Sequence, residues 1–412
     1  MKHIYLDHSA TTPVDRDVLQ KMMPYFIKEY GNPSSIHYFG QKAAEAVDNA
    51  RIKVADFLHC ESSEVVFTSG ATESNNIALK GLVKGLRKGG SAKMHIITSI
   101  IEHPAILEPS AELIKEGVEV TYLSVNKSGL IDLDELKKAI KDNTALVSIM
   151  YVNNEVGIIE PIRKVGKLIN KINETRERNW QKLGKKERGE KPGRIYFHTD
   201  ATQALNFVNC DVRWNYIDML SLSGHKIYGP KGIGALYVRS GIPVRPLMLG
   251  GHQENNVRNG TLNVPGIVGL GEAIGKLNLK EVEKNNKKIA YLRDYFVKNI
   301  LKKIPDAILN TDIASSIASH AHFSFLGVEG ESMLIALDMA GISVSTGSAC
   351  ASGSLKPSHV LLAMGIKTEI AHNSLRFTFG KNNTKEEVDI VIRVLPDVIK
   401  KLRKISTEYN LS

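Results

Sequence analysis

Cysteine is scarce in this sequence: 412 residues hold three, Cys60, Cys210 and Cys350. Three make neither a disulfide framework nor a zinc set, so no metal site is expected. No apolar run is long enough to span a bilayer as a helix. The opening MKHIYLDHSATT has no apolar stretch behind its charges, so it does not read as a secretion signal. Few cysteines and no export signal point to a reducing cytoplasm. Low-complexity tails and internal repeats are also missing. The net charge of +10 comes from lysines scattered over helical stretches such as 276–288 and 400–404. Such lysines read as solvated faces, so neither a membrane nor a direct nucleic-acid partner is expected.

What is present is an alternation. Short runs rich in Ile, Val and aromatics at 65–68, 95–98, 118–123, 145–151, 195–198 and 219–221 read as strands. Helical patterns at 43–58, 73–86, 104–116, 133–141 and 162–172 separate them. The alternation predicts an α/β fold, a mostly parallel sheet covered by helices. After Thr261 the pattern changes to longer helices at 264–279, 282–304 and 385–405 with few strands, at 316–326 and 375–379. That suggests a smaller α+β domain. The stretch 173–194 is almost wholly polar and reads as an inserted, exposed loop, helical at its start and loose from 184 to 193.

Six places could carry chemistry. Lys226 follows an apolar strand in SLSGHKIYGPKG, where it can point into a crevice at the sheet edge. Desolvation there would favour Schiff-base chemistry, although a turn lysine without a role fits equally. The segment TSGATES, 68–74, puts a glycine turn before a helix N-terminus, a phosphate cradle or simply an N-cap. Asp200 ends the strand of IYFHTDATQA, where it could pair with a cationic ring nitrogen or cap a following helix. Gln203 lies three residues on. His103, in IEHPAIL, could stack on a planar cofactor and move a proton, or be structural. Cys350 sits in VSTGSACASGSLKPSH among Gly, Ser and Ala, which build no core; by context it is the best nucleophile of the three cysteines. Arg376, in SLRFTFG, falls on the polar face of a strand whose other face is Leu375, Phe377 and Phe379. It suits a carboxylate ligand or a surface salt bridge.

Together, and in this order, these segments resemble the cysteine desulfurases of the NifS/IscS type. The resemblance rests on YLDHSATTPVD (5–15), GNPSSIHYFG (31–40), VFTSGATESNN (66–76), VSIMYVNNEVG (147–157), HTDATQA (198–204), LSGHKIYGPKGIGALYVR (222–239), RNGTLNV (258–264), STGSACASGSLKPSHVL (345–361) and SLRFTFG (374–380). It implies the type I fold of pyridoxal-phosphate (PLP) enzymes, normally a homodimer with its active sites at the interface. By that resemblance Lys226 carries the cofactor. Ala71, Thr72, Ser223 and His225 hold its phosphate, with Thr261 reaching in from the other subunit. Asp200 binds the pyridine nitrogen, Gln203 the ring hydroxyl, and His103 stacks on the ring. Asn154 and Arg376 hold the carboxylate of L-cysteine, and Cys350 takes the sulfur. The products would be alanine and a Cys350 persulfide, passed to an acceptor protein for iron–sulfur clusters or tRNA thiolation.

The expected division is a large PLP-binding domain over 16–264 and a small domain from 1–15 and 265–412, which carries the Cys350 loop. Two departures from the family stand out. The segment 173–194 is longer than the usual helix-to-strand turn, and only STEYNLS follows the last helix, so the tail by which some members hold an iron–sulfur scaffold is not expected.

Overall fold

The computed structural model describes residues 3–87, 93–183, 193–346 and 356–406. Twelve strands are found among them: β1 (Ile4–Tyr5), β2 (Val65–Thr68), β3 (His95–Ser99), β4 (Glu119–Leu123), β5 (Thr144–Ser148), β6 (Tyr196–Asp200), β7 (Met219–Ser223), β8 (Gly234–Val238), β9 (Ala307–Leu309), β10 (His320–Phe325), β11 (Ile342–Ser343) and β12 (Ser374–Thr378). Seven form one sheet in the order β2-β8-β7-β6-β5-β3-β4. All run parallel except β8, which is antiparallel to both neighbours. The expected sheet is therefore present. β8 is an added strand: its sequence GALYV lies inside the quoted motif 222–239 and was not among the strands expected from sequence.

Helices cover both faces, which is why β2, β3, β7 and β8 are buried along their whole length. One apolar layer gathers Val65, Phe67, Ile97, Val147, Phe197 and Leu220 under the helices Tyr38–Leu58 and Val264–Gly275. The other gathers Val66, Ile96, Leu146, Met219 and Leu236 under the helix that runs from Ala71 to Leu86 with a π-turn at Ile77–Gly81. The strand β10 pairs antiparallel with β12 and β9, and covers a separate core with Phe296, Phe323, Phe325, Phe377, Phe379 and Leu395. Ile4 and Leu6 join that core, and β1 pairs with β11. The helix Val264–Gly275 lies beyond the 264/265 boundary expected from sequence. Its Ile267, Leu270, Ala273 and Ile274 nonetheless belong to the large sheet's core, because its small and aliphatic face packs on the helix Tyr38–Leu58.

The helix expected at 162–172 continues to Lys182. Val165, Gly166 and Ile169 hold it to the sheet, and Asn173 fixes the returning chain by bonding both the N–H and the carbonyl of Ile195. Arg176 then donates to the carbonyls of Gly193 and Lys141. The start of the polar insertion is thus ordered helix over ten residues, 173–182. Residues 184–192 lie outside the described residues.

Candidate active site

The parallel strands β2, β3, β5, β6 and β7 all end on one edge of the sheet, and a cavity of about 540 Å³ opens there. Ten of the twelve residues singled out from sequence line it: Ala71, Thr72, His103, Asn154, Asp200, Gln203, Ser223, His225, Lys226 and Arg376. Thr261 is exposed and does not line this cavity. Cys350 lies outside the described residues.

At one end β2 runs into Ser69 and Gly70, and a helix starts at Ala71 with no side-chain cap on its first N–H groups. Gly70 has φ +152°, and a Cβ there would meet only Ser223 Oγ, at 3.8 Å. Gly234 of β8 passes so close that a Cβ would lie 2.7 Å from Gly70 Cα, so the cradle needs both glycines. Glu73 accepts the Ser69 N–H and pairs with Arg258 at 3.0 Å. Burial alone would raise its carboxyl, but the Ser69 bonds and Arg258 hold it below the usual range. His225 is neutral: burial, then Lys226 and Lys231, push its pKa down to about 4.

In the middle Asp200 ends β6, buried. Its Oδ2 accepts from Asn75 Nδ2 at 2.7 Å and its Oδ1 from the Thr202 N–H at 2.9 Å. The chain after it makes turns, not the helix that the capping alternative required. Two residues earlier His198 bonds Ser148 and Ser221. Burial lowers it to about 4 although Asp200 opposes the shift. His103 caps the helix Pro104–Lys115, its Nδ1 accepting the Ala105 N–H at 3.1 Å. A ring nitrogen that accepts carries no proton, so the neutral ring is protonated at Nε2. Burial keeps it neutral, with Asp200 opposing and Lys226 assisting. Lys226 closes a short turn after β7 and donates to the carbonyls of Ser9 and Ala10. Gln203 Nε2 donates to the same Ser9 carbonyl at 2.9 Å.

At the far end Arg376 stands on β12, 3% exposed, which rules out the surface salt bridge. Its Nη2 bonds Asp7 and its Nη1 the Asn154 carbonyl, both at 2.9 Å. Its Nε has no partner among the described residues. Asp7 neutralises the guanidinium, without which burial would be prohibitive. The sequence reading missed Asp7, Ser9, Asn75 and Met150. All four lay within quoted motifs, but only the fold shows that Asn75 touches Asp200, Ser9 Lys226 and Asp7 Arg376. Met150 adds an apolar wall.

A crevice at the carboxyl edge of a parallel sheet, with a lysine, a buried carboxylate and an uncapped helix N-terminus facing one space, defines a cofactor-dependent α/β enzyme. The chain belongs to the class-V aminotransferase family, whose model matches residues 4–175 and 181–391. It stands with the cysteine desulfurases of that family. It is 46% identical over 405 residues to cysteine desulfurase IscS of Dictyoglomus turgidum, covering 98% of this chain and 96% of the relative. Its identity to cysteine desulfurase IscS of Methanosarcina thermophila is 47%, over 98% of this chain and 94% of the relative. A solved NifS-like protein superposes with a TM-score of 0.86 at 36% identity, over 97% of this chain and all of that one. SspA in complex with cysteine gives 0.77 at 35%, over 92% of this chain and 100% of that one. The fold is the type I fold of PLP-dependent transferases. The family match breaks between 175 and 181, inside the extended helix.

Proposed function

We propose that this protein removes the sulfur of L-cysteine, releasing alanine and leaving a persulfide on Cys350 for transfer to an acceptor. The observation that carries the reading is that Lys226, from the turn after β7, Asp200, from the end of β6, and Arg376, from β12, face one cavity. Their spacing in sequence gives no reason for them to meet unless the site uses them together.

The residues present fit PLP. The uncapped N–H groups at Ala71 and Thr72, with Ser223 and His225, suit a phosphate. Asp200, buried and accepting from Asn75 and the Thr202 N–H, suits a protonated ring nitrogen, and the flat neutral ring of His103 suits a stacking face. Gln203 suits the ring hydroxyl. When bound, the cofactor would supply an electron sink for the carbons of the substrate. Lys226 would hold it covalently and then move the proton at the substrate Cα. Arg376 and Asn154 would grip the substrate carboxylate, and Asp7 keeps Arg376 oriented. Cys350 thiolate would attack the substrate sulfur: the S–S bond forms, the Cβ–S bond breaks, and its electron pair stays with carbon, which takes a proton and leaves as alanine. Balance requires no outside oxidant.

A homodimer is part of the proposal. Phe26, Ile27, Tyr30, Ile36 and Tyr38 expose a run of apolar surface. Thr261, exposed and outside its own cavity, is free to serve a partner's phosphate end. No helix among the described residues is long and apolar enough to cross a membrane. Cys60 and Cys210 are free thiols, which suits a reducing cytoplasm. Incubation with PLP, L-cysteine and a thiol reductant should yield alanine and sulfide in equal amounts. Keto acid without sulfide would favour an aminotransferase and overturn the reading.

A further inference from the structure

Two buried glutamates beside the cavity, Glu102 and Glu155, take no part in the scheme above. Glu155 has the more specific surroundings. It follows Asn154, is 3% exposed, and sits where its carboxylate feels Arg376. Its backbone N–H is held by Asn153 Oδ1 at 2.9 Å. Its Oε2 accepts the hydroxyl of Ser358, itself buried. Ser358 caps the helix His359–Ala363, its Oγ accepting the Leu361 N–H. The next residue, His359, bonds the Glu102 carbonyl at 3.0 Å. Val360 and Leu361 pack with Ile101, Met150, Val156 and Ile158.

The other side of the Cys350 segment is fixed at the same place. Ser345 and Arg376 exchange backbone hydrogen bonds, at 3.2 and 2.7 Å. One flank is therefore tied to the backbone of Arg376, and the other to the carboxylate that neighbours the Arg376 side chain. Ser358 follows Cys350 by eight residues, which extend to about 29 Å at most. The place where Ser358 is fixed thus limits where the Cys350 thiol can be delivered.

We infer that Glu155, acting through Ser358, is a positioning residue that sets the descending flank of the Cys350 segment against the carboxylate end of the cavity. The inference rests on the desulfurase reading. Its chemistry is a matter of alignment: effective concentration of an intramolecular nucleophile falls steeply when its anchor is loosened. Glu155 contacts neither substrate nor cofactor on this account, so capture of cysteine should survive its loss while sulfur transfer slows.

The holoenzyme and the variants S358A, E155A, E155Q and S358A/E155A would be mixed with L-cysteine. Two rates would be followed: the change in cofactor absorbance on mixing, and appearance of persulfide on Cys350 by peptide mass spectrometry. The expected result is an absorbance change and a KM within about threefold of wild type. Persulfide formation should fall about tenfold in S358A and E155A, no further in the double variant, and recover in E155Q, which keeps an acceptor for Ser358. Should E155A fail to fold, S358A and E155Q decide. Wild-type persulfide formation in S358A would overturn the inference. So would equal losses in both rates, or additive losses in the double variant. If the wild type itself forms no persulfide, the desulfurase reading fails; if it does and S358A matches it, only the positioning role fails.

Discussion

At the scale of the residue, the site works by burying charge only where a partner meets it. Arg376 shows the pattern: Asp7 supplies the opposite charge, and the Asn154 carbonyl takes a second donor. Removing the guanidinium by Arg376→Ala should cost about 1.5–3 kcal/mol of substrate binding, or roughly 10- to 150-fold in KM for cysteine. Cofactor absorbance should be retained, and an unchanged KM would show that the carboxylate binds elsewhere. Glu102 is the opposite case. Its Oε1 accepts from Ser99 Oγ and the Met150 N–H, but its Oε2 is buried without a partner among the described residues. Burial raises its pKa to about 8, against the pull of those two bonds. Raised in the folded state, it binds a proton that the unfolded chain gives up from about pH 4.5. Stability contributed by Glu102 is therefore full in acid and is lost as pH rises toward 8. Glu102→Gln keeps an acceptor and cannot ionise. Its melting temperature should gain on wild type by about 2 °C or more between pH 5 and pH 8. A difference that stays flat with pH would mean that Glu102 is not protonated in the fold.

At the scale of the element, strand ends were legible and strand neighbours were not. Asp200, Lys226 and His103 could be placed at the ends of apolar runs because burial and alternation are written locally. Their meeting depends on sheet order, and β6, β7 and β3 share an edge only through a topology that no local pattern encodes. β8 was missed, although its Gly234 serves the close approach to Gly70. The helix Ile162–Lys182 outran its apolar periodicity, since residues past Ile172 are held by Asn173 and Arg176 instead of a core. Those two bonds mark where the insertion can be cut. Replacing residues 177–190 with a short turn should leave cofactor content and alanine production unchanged, because no catalytic candidate lies within it. Loss of bound cofactor or of dimerisation in that variant would make the segment part of the core or interface.

At the scale of the whole molecule, the sheet and the smaller β9–β12 unit each supply what the other lacks. The sheet edge holds Lys226, Asp200 and the glycine turn before the uncapped helix N-terminus, while β12 brings Arg376, and the chain on either side of Cys350 is fixed at the junction between them. The N-terminal segment crosses that junction: Ile4 and Leu6 pack in the smaller core, and Ser9 and Ala10 accept from Lys226. Sequence alone made the motif YLDHSATT visible without a role, because its partners, Asn154, Gln203, Lys226 and Arg376 among them, lie far along the chain. The central claim, that sulfur passes from cysteine to Cys350, is tested most directly without reductant. The holoenzyme would be given L-cysteine, alanine would be counted, and each cysteine peptide would be weighed. The account predicts alanine in step with a persulfide on Cys350, with Cys60 and Cys210 unmodified, and no persulfide in Cys350→Ala although cysteine is still captured. Sulfur found on Cys60 or Cys210, or alanine formed at the wild-type rate by Cys350→Ala, would contradict it.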